Sequence, residues 1–455
     1  MEKEFAPEEI RENRMGTEPI GQVLRSMAVP MMISMLVQAL YNVVDSVFVS
    51  RLSENALNAV SLAFPLQNAM IAFAGGTTLG MNALLSRYLG AKRQDLADRA
   101  ANTGIFLSFI TFAVFCLIGA TLSGPFFRSL TSEAEIVAYG TDYASVCLML
   151  SFGIFFQFCF ERMLQATGRT RLTMITQTTG AVINIILDPI LIFGLLGFPR
   201  LEVKGAAVAT VAGQIVSAVM ALCMNLKRNP DVHLKFEHIL HPDKSMIGEI
   251  YKIGFPSILM MSISSVLNFL LNKILIAFTT TATAVYGAYF KLQSFIFMPV
   301  FGLNNAMVPL ISYNYGARKK ERVIRTFRLS VISAVCIMAV GTLVFELFPD
   351  KLLGFFNASE DMLSIGVPAL RIIATHFVVA AVCIISGSVC QAIGNPMHSL
   401  ITSISRQLVA LLPAAWLLSR TGRLELVWLA FPFAEIVSLV LSLTFLKKTF
   451  RKLDI

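Results

Sequence analysis

Two carboxylates sit where apolar side chains are the rule. Asp45 lies in "YNVVDSVFVS" (41–50), within an apolar run from about Met27 to Arg51, and Asp188 lies in "NIILDPILIF" (184–193), within another. A charge at the centre of a bilayer costs at least about 2.5 kcal/mol, so such a residue normally faces a polar interior and does work there. An apolar setting also disfavours the ionised form of a carboxyl, which suits a group that takes up and releases a proton. Pro189 follows Asp188. It lacks an amide hydrogen and clashes with the carbonyl of Ile185, which bends the helix and frees a backbone oxygen beside Asn184 for a cation or a water. The competing reading is a pair of structural carboxylates that lock helices together.

Those elements must be membrane helices. The chain has 455 residues, 56% hydrophobic and 14% charged, with mean hydropathy +0.70. Soluble domains are about 25% charged. Apolar runs long enough to cross a bilayer as helices predict twelve spans, at 27–50, 57–86, 103–122, 137–161, 172–196, 205–226, 249–278, 284–312, 329–348, 363–390, 398–419 and 425–446. The first 26 residues are polar and read as a tail, not a cleavable leader. An even number of spans puts both termini on one side. Of the 37 Lys and Arg, 26 lie in or beside the tails and the even-to-odd loops, and seven in the opposite loops. The positive-inside bias then places both termini in the cytoplasm. It also accounts for a net charge of +9 through contact with anionic lipid, without a nucleic-acid partner. The seven Cys stand singly and read as small hydrophobes. No P-loop, HExxH or GxSxG is present, which argues against ATP hydrolysis on this chain and against an intramembrane enzyme.

An internal repeat organises the spans. At an offset of 226, Pro30 meets Pro256, Asn42 meets Asn268, and Phe64-x-Leu66-Gln67 meets Phe290-x-Leu292-Gln293. Ser86-x3-Gly90-Ala91-Lys92 meets Ser312-x3-Gly316-Ala317-Arg318, and Gln165-Ala166-x-Gly168 meets Gln391-Ala392-x-Gly394. Six spans per repeat is even, so both halves enter the membrane in the same sense. The expected fold is an all-α polytopic membrane protein of two six-helix lobes, related by a pseudo-two-fold along the membrane normal, with a cavity between them. The expected divisions are a tail (1–26), an N-lobe (27–227), a linker (228–248), a C-lobe (249–447) and a tail (448–455). The linker's His233, His238 and His241 read as solvated loop residues and not a metal site.

Where the repeats differ, one half is specialised. Asp45 falls opposite Leu271 and Asp188 opposite Ala414, so both acids belong to the N-half. The C-half carries Lys291, His376, Arg406 and Glu435 instead. Helix-to-helix pairing is one reading of these. The other makes Lys291, Arg406 and His376, with Gln38 and Asn42 of the first span, the lining of a substrate cavity. The 35 Phe and 21 Met supply adaptable apolar surface for varied guests.

These residues resemble a known family. "PMMISMLVQALYNVVDSVFVSRL", "LLSRYLGAKR", "LQATGRTRLTM", "NIILDPILIFG", "KGAAVAT", "PLISYNYGARK" and "CQAIGNPMHS" are similar to segments of multidrug and toxic compound extrusion (MATE) transporters of the bacterial type, and the resemblance covers residues 20–448. It implies two six-helix lobes in a V, alternating access, and export of bulky, often cationic, amphipathic small molecules in exchange for H⁺ or Na⁺, with no other cofactor. It also implies that Asp45, Tyr143, Asn184, Asp188 and Thr210 form a site shared by proton and cation. Such a set suits a hard cation, which takes oxygen ligands; Asp45, Asn184 and Asp188 would hold Na⁺. Some branches carry a second cation site in the C-lobe, but the matching positions here are Ser264 and Val379, which argues against one. The expected activity is therefore secondary antiport by a single chain acting as a monomer. The alternative is a flippase for a lipid-linked precursor, which would need a cavity rich in Arg and Lys to hold pyrophosphate; only Lys291 and Arg406 qualify.

Overall fold

The computed structural model describes residues 12–356 and 358–451, and among them there is no β-strand. The tails expected at 1–26 and 448–455 therefore lie partly outside the described residues. Ten helices are long and apolar enough to cross a bilayer, and two bent pairs bring the number of spans to twelve. The first six are Ile20–Ser50, Glu54–Gly90, Gln94–Leu130, the pair Ala134–Met149 and Phe152–Ala166, Thr170–Phe193 and Val203–Arg228. The next six are Lys244–Ile276, Thr280–Gly316, Lys320–Leu347, the pair Glu360–Ala374 and Phe377–Ala392, Pro396–Ser419 and Leu424–Arg451.

Most of these helices outrun the apolar stretches that announce them. The third, expected at 103–122, begins at Gln94 and ends at Leu130, because "QDLADRAAN" is polar yet continues the helix before the chain turns. Breaks also have causes. The fourth and tenth spans bend by 43° and 47° at Leu150–Ser151 and Thr375–His376. The eleventh widens into a π-helical turn over Ser405–Leu411, just ahead of Pro413, whose ring clashes with the carbonyl of Val409 and which cannot donate to it.

The repeat is reproduced in three dimensions. Helices start at Glu54 and Thr280, Gln94 and Lys320, Ala134 and Glu360, and Thr170 and Pro396, each pair 226 residues apart. Ser86 Oγ donates to the Ala166 carbonyl at 3.0 Å, and Ser312 Oγ donates to the Ala392 carbonyl at the same distance. Gly168 and Gly394 close equivalent turns with φ of +81° and +92°, a conformation that strains any residue with a Cβ. The first and seventh spans cross between the halves. Val23, Leu24, Met27 and Met31 pack into the core of the second half, while Met246, Ile250 and Ile253 pack into the core of the first.

The face that carries the start of the first span and the end of the twelfth, here the terminal face, is closed. Gly76, Gly80 and Gly254 bring the second and seventh spans into backbone contact, and Gly90 and Gly316 do the same for the second and eighth. Tyr88 donates to Glu249 at 2.5 Å and Arg162 to Asn305 at 3.1 Å. The segment before the first span straps the closure. Asn13 donates to the Thr167 carbonyl at 3.1 Å and Arg14 to that of Gly168. From the other half, Asn314 and Arg322 donate to the Met15 carbonyl at 3.0 and 2.9 Å. Among the described residues, the hydrogen bond between halves farthest from this face joins Asn68 to Ser265. Beyond it Asn42, Ser46 and Lys291 are exposed. Hydrocarbon would not accommodate such side chains, so this is where a polar cleft opens, away from the terminal face.

Candidate functional site

The fifth and sixth spans build the floor of the site. Gly180 and Gly213 bring their backbones together, and Gly205 packs on the Leu191 backbone two to three turns farther on. Between these two close approaches stand Asn184 and Asp188, one helical turn apart on one face, and opposite them Thr210. All three are buried, Asp188 completely. Oriented to satisfy both neighbours, the Asn184 amide donates to Asp188 Oδ2 at 3.0 Å, while its oxygen accepts from the Thr210 amide at 2.9 Å and hydroxyl at 3.1 Å. Pro189 follows at once inside the same helix, which ends at Gly194 with φ +74°.

The first span supplies the second acid. Asp45 is half-buried, and its carboxyl meets that of Asp188 closely enough to share a hydrogen bond whenever one of the two carries a proton. Each carboxyl keeps one buried oxygen, Asp45 Oδ1 and Asp188 Oδ1, with no hydrogen-bond partner. Orphaned buried oxygens are costly, and a proton or a cation between the carboxyls would satisfy them. Tyr143, buried in the fourth span, accepts from Gln67 Nε2 at 2.8 Å and lies in the electrostatic reach of Asp45. The five residues expected at this site thus come from four helices of one half and lie together.

Two contributors were not anticipated. Tyr41 stands close to Thr210 and within the electrostatic reach of both acids; its position one turn before Asp45, on the same helical face, was the available signal. Gln67 was noticed only as a repeat match.

The proposed cavity residues separate. Gln38 is half-buried and Asn42 exposed on the first span, and Lys291 is exposed on the eighth. His376 does not line the cleft in this conformation. Its ring is enclosed by Phe297, Phe377 and Phe431, with centroids 5.2–6.4 Å away. It lies 3.7 Å from Glu435, which also pairs with Arg406 at 3.5 Å. These three residues join the tenth, eleventh and twelfth spans inside the second half. In the linker, His233 Nδ1 meets Asp98 at 3.1 Å and its amide donates to the same carboxylate at 2.9 Å. Among the described residues no group of three or more His, Cys, Asp and Glu comes together as a metal site.

Comparison with known proteins agrees with this architecture. The MatE family model matches residues 30–190 and 256–417, once per repeat. The chain is 26% identical over 411 residues to the multidrug export protein MepA of Staphylococcus haemolyticus, spanning 90% of this chain and 89% of that one. It is 26% identical over 427 residues to the FAD transporter of Shewanella oneidensis, spanning 92% of each. Among solved structures, the outward-facing conformation of a multidrug resistance MATE family transporter of the MOP superfamily superposes with TM-score 0.92 at 25% identity, over 98% of this chain and 99% of that one. The twelve-span repeat architecture and a family model matched in both halves lead to one assignment: the chain belongs to the MatE family of membrane transporters.

Proposed function

We propose that this protein is a proton-coupled antiporter that exports amphipathic, cationic or neutral small molecules across the bacterial cytoplasmic membrane, acting as a monomer. The observation that carries the reading is the contact between Asp45 and Asp188, each with a buried oxygen left unpartnered. Two carboxylates in contact resist double ionisation, so the pair binds one proton or one cation readily. A proton needs only the two unpartnered carboxyl oxygens, whereas a hard cation seeks a fuller set of oxygen ligands.

The export cycle follows from state-dependent binding. A proton entering from the open cleft neutralises the acid pair and weakens its hold on a cationic cargo, which leaves through the same opening. At the terminal face, cargo binding favours the deprotonated pair and so returns the proton. Such exchange requires only that each ligand prefer one conformation. Arg14, Lys92, Arg93, Arg169, Lys319 and Arg322 cluster on the terminal face, which supports its assignment to the cytoplasm. The MepA relatives are named multidrug export proteins, which supports a broad cargo range. An anionic cargo finds less here, because Arg406 is tied to Glu435 and Lys291 is the exposed cation of that set.

Reconstitution into liposomes with a fluorescent cationic dye tests the reading. A proton gradient alone is expected to drive dye movement and a sodium gradient alone is not, with the drive lost in Asp45→Asn. Sodium-driven movement, or wild-type transport by the variant, would count against it.

A further inference from the structure

We propose that Glu161 is a second proton-carrying carboxyl, a relay between the Asp45/Asp188 pair and the terminal face; this rests on the proton-coupled reading above. Glu161 lies near the end of the fourth span and is 2% exposed. Its three side-chain partners are neutral. Gln157 Nε2 lies 3.2 Å and Thr176 Oγ1 2.9 Å from Oε1, and Gln177 Nε2 donates to Oε2 at 2.8 Å. The charged group acting on it is Arg162 of the same helix, whose Nη1 is engaged by Gln165 at 3.0 Å and by Asn305 of the other half at 3.1 Å. Thr173 and Thr176 are the remaining groups that face it from the fifth span. Neither carries charge.

The geometry fits both protonation states. Thr176 Oγ1 is 2.9 Å from Glu161 and also 2.9 Å from the Thr173 carbonyl. A hydroxyl has a single proton to donate. When Glu161 is ionised, Thr176 donates to it. When Glu161 is protonated it donates to Thr176, which turns its own proton to the Thr173 carbonyl. Gln177 Oε1 is buried with no partner and offers a second acceptor for the same proton if the amide turns. A carboxyl held in one charge state would use only one of these arrangements.

Position supports the relay. Gln177 and Asp188 share the fifth span eleven residues apart, about 16 Å along the axis. The seam between the fifth and sixth spans carries Thr210, Asn184, Ser217 and Thr176, with Ser217 Oγ donating to the Thr176 carbonyl at 2.9 Å. The repeat position of Glu161 is Gly387, so Glu161, like Asp45 and Asp188, has no acidic counterpart in the second half. In the transfer only O–H bonds are made and broken. The proton leaves the aspartate pair, binds a Glu161 carboxylate oxygen, and departs at the terminal face, regenerating each group.

Proteoliposomes of the full chain with the same cationic dye provide the test. In Glu161→Gln, proton-driven transport is expected to fall at least tenfold and to lose its pH dependence, while the dye's Kd in detergent stays within twofold. Glu161→Asp should restore part of the rate, and Thr176→Val should shift the pH profile. Wild-type rate and pH profile in Glu161→Gln, with Asp45→Asn inactive, would overturn the relay and leave the antiport reading standing. Joint loss of dye binding and thermal stability in Glu161→Gln, unrelieved by Glu161→Asp, would overturn it in favour of a structural role. No proton-driven transport by the wild type would remove the antiport reading itself, and the relay with it.

Discussion

Gly76 and Gly254 meet backbone to backbone where the second and seventh spans cross. A Cβ at Gly76 would stand 2.9 Å from the Gly254 carbonyl oxygen, and one at Gly254 would stand 2.6 Å from that of Gly76. The contact joins the two halves on the terminal side of the cleft, so it exists only while that face is closed. Gly254→Ala should cost the closed state about 1–3 kcal/mol by overpacking, enough to shift a two-state equilibrium roughly five- to a hundredfold. Spin-label distances across the terminal face should lengthen in the variant. Distances unchanged from wild type would refute the assignment of this crossing as a state-specific contact.

The strap before the first span is expected to act in the same direction. Arg322 donates to the Met15 carbonyl at 2.9 Å, to that of Glu18 at 2.7 Å and to Asn314 at 2.9 Å. Arg322→Ala removes all three. With hydrogen bonds to charged groups worth about 1.5–3 kcal/mol each, the closed terminal face should lose population measurably. Faster modification of a cysteine placed at Ser265 from the terminal side would register the change, and an unaltered rate would rule it out.

Asn184 and Thr210 hold Asp188 in place, so Thr210→Val should impair coupling without unfolding the protein. The hydroxyl bond at 3.1 Å is lost while the amide bond at 2.9 Å persists. A loss of about 1 kcal/mol predicts transport reduced roughly fivefold, with the melting temperature in detergent nearly unchanged. A variant indistinguishable from wild type in transport would show that Thr210 is incidental.

Glu435 is expected to matter for stability. It is 3% exposed and serves both Arg406 and His376. Removing one partner of a buried pair costs about 3–5 kcal/mol because the other charge is left uncompensated. Arg406 retains some exposure, which places Glu435→Leu toward the lower end. Thermal melting in detergent should fall by several degrees, and an unchanged melt would contradict the pairing.

How much of this was legible in the letters depends on distance along the chain. Asp45 and Asp188 stood out because a carboxylate in an apolar run is conspicuous, and the 226-residue offset placed both in one half. Ser86 with Ala166, and Ser312 with Ala392, were visible as matched letters before they became matched hydrogen bonds. Glu161 was not legible as a site. It closes the apolar run 137–161, where a polar residue reads as the membrane boundary, and Thr176 and Gln177 reach it from the next helix. The pairing of His376 with Glu435 spans 59 residues of sequence and depends on how the tenth and twelfth spans pack. The exchange of the first and seventh spans between cores was hidden for a related reason, since hydropathy shows that Met27 and Ile250 are buried but not against what.

The most direct test of the central claim is a proton count. Purified protein in weakly buffered detergent, titrated with the cationic dye near neutral pH, should release close to one proton per dye bound, and Asp45→Asn should bind dye with little release. Equal release by wild type and Asp45→Asn, or binding by the wild type with no release at any pH between 6 and 8, would contradict the assignment of the Asp45/Asp188 pair as the coupling group.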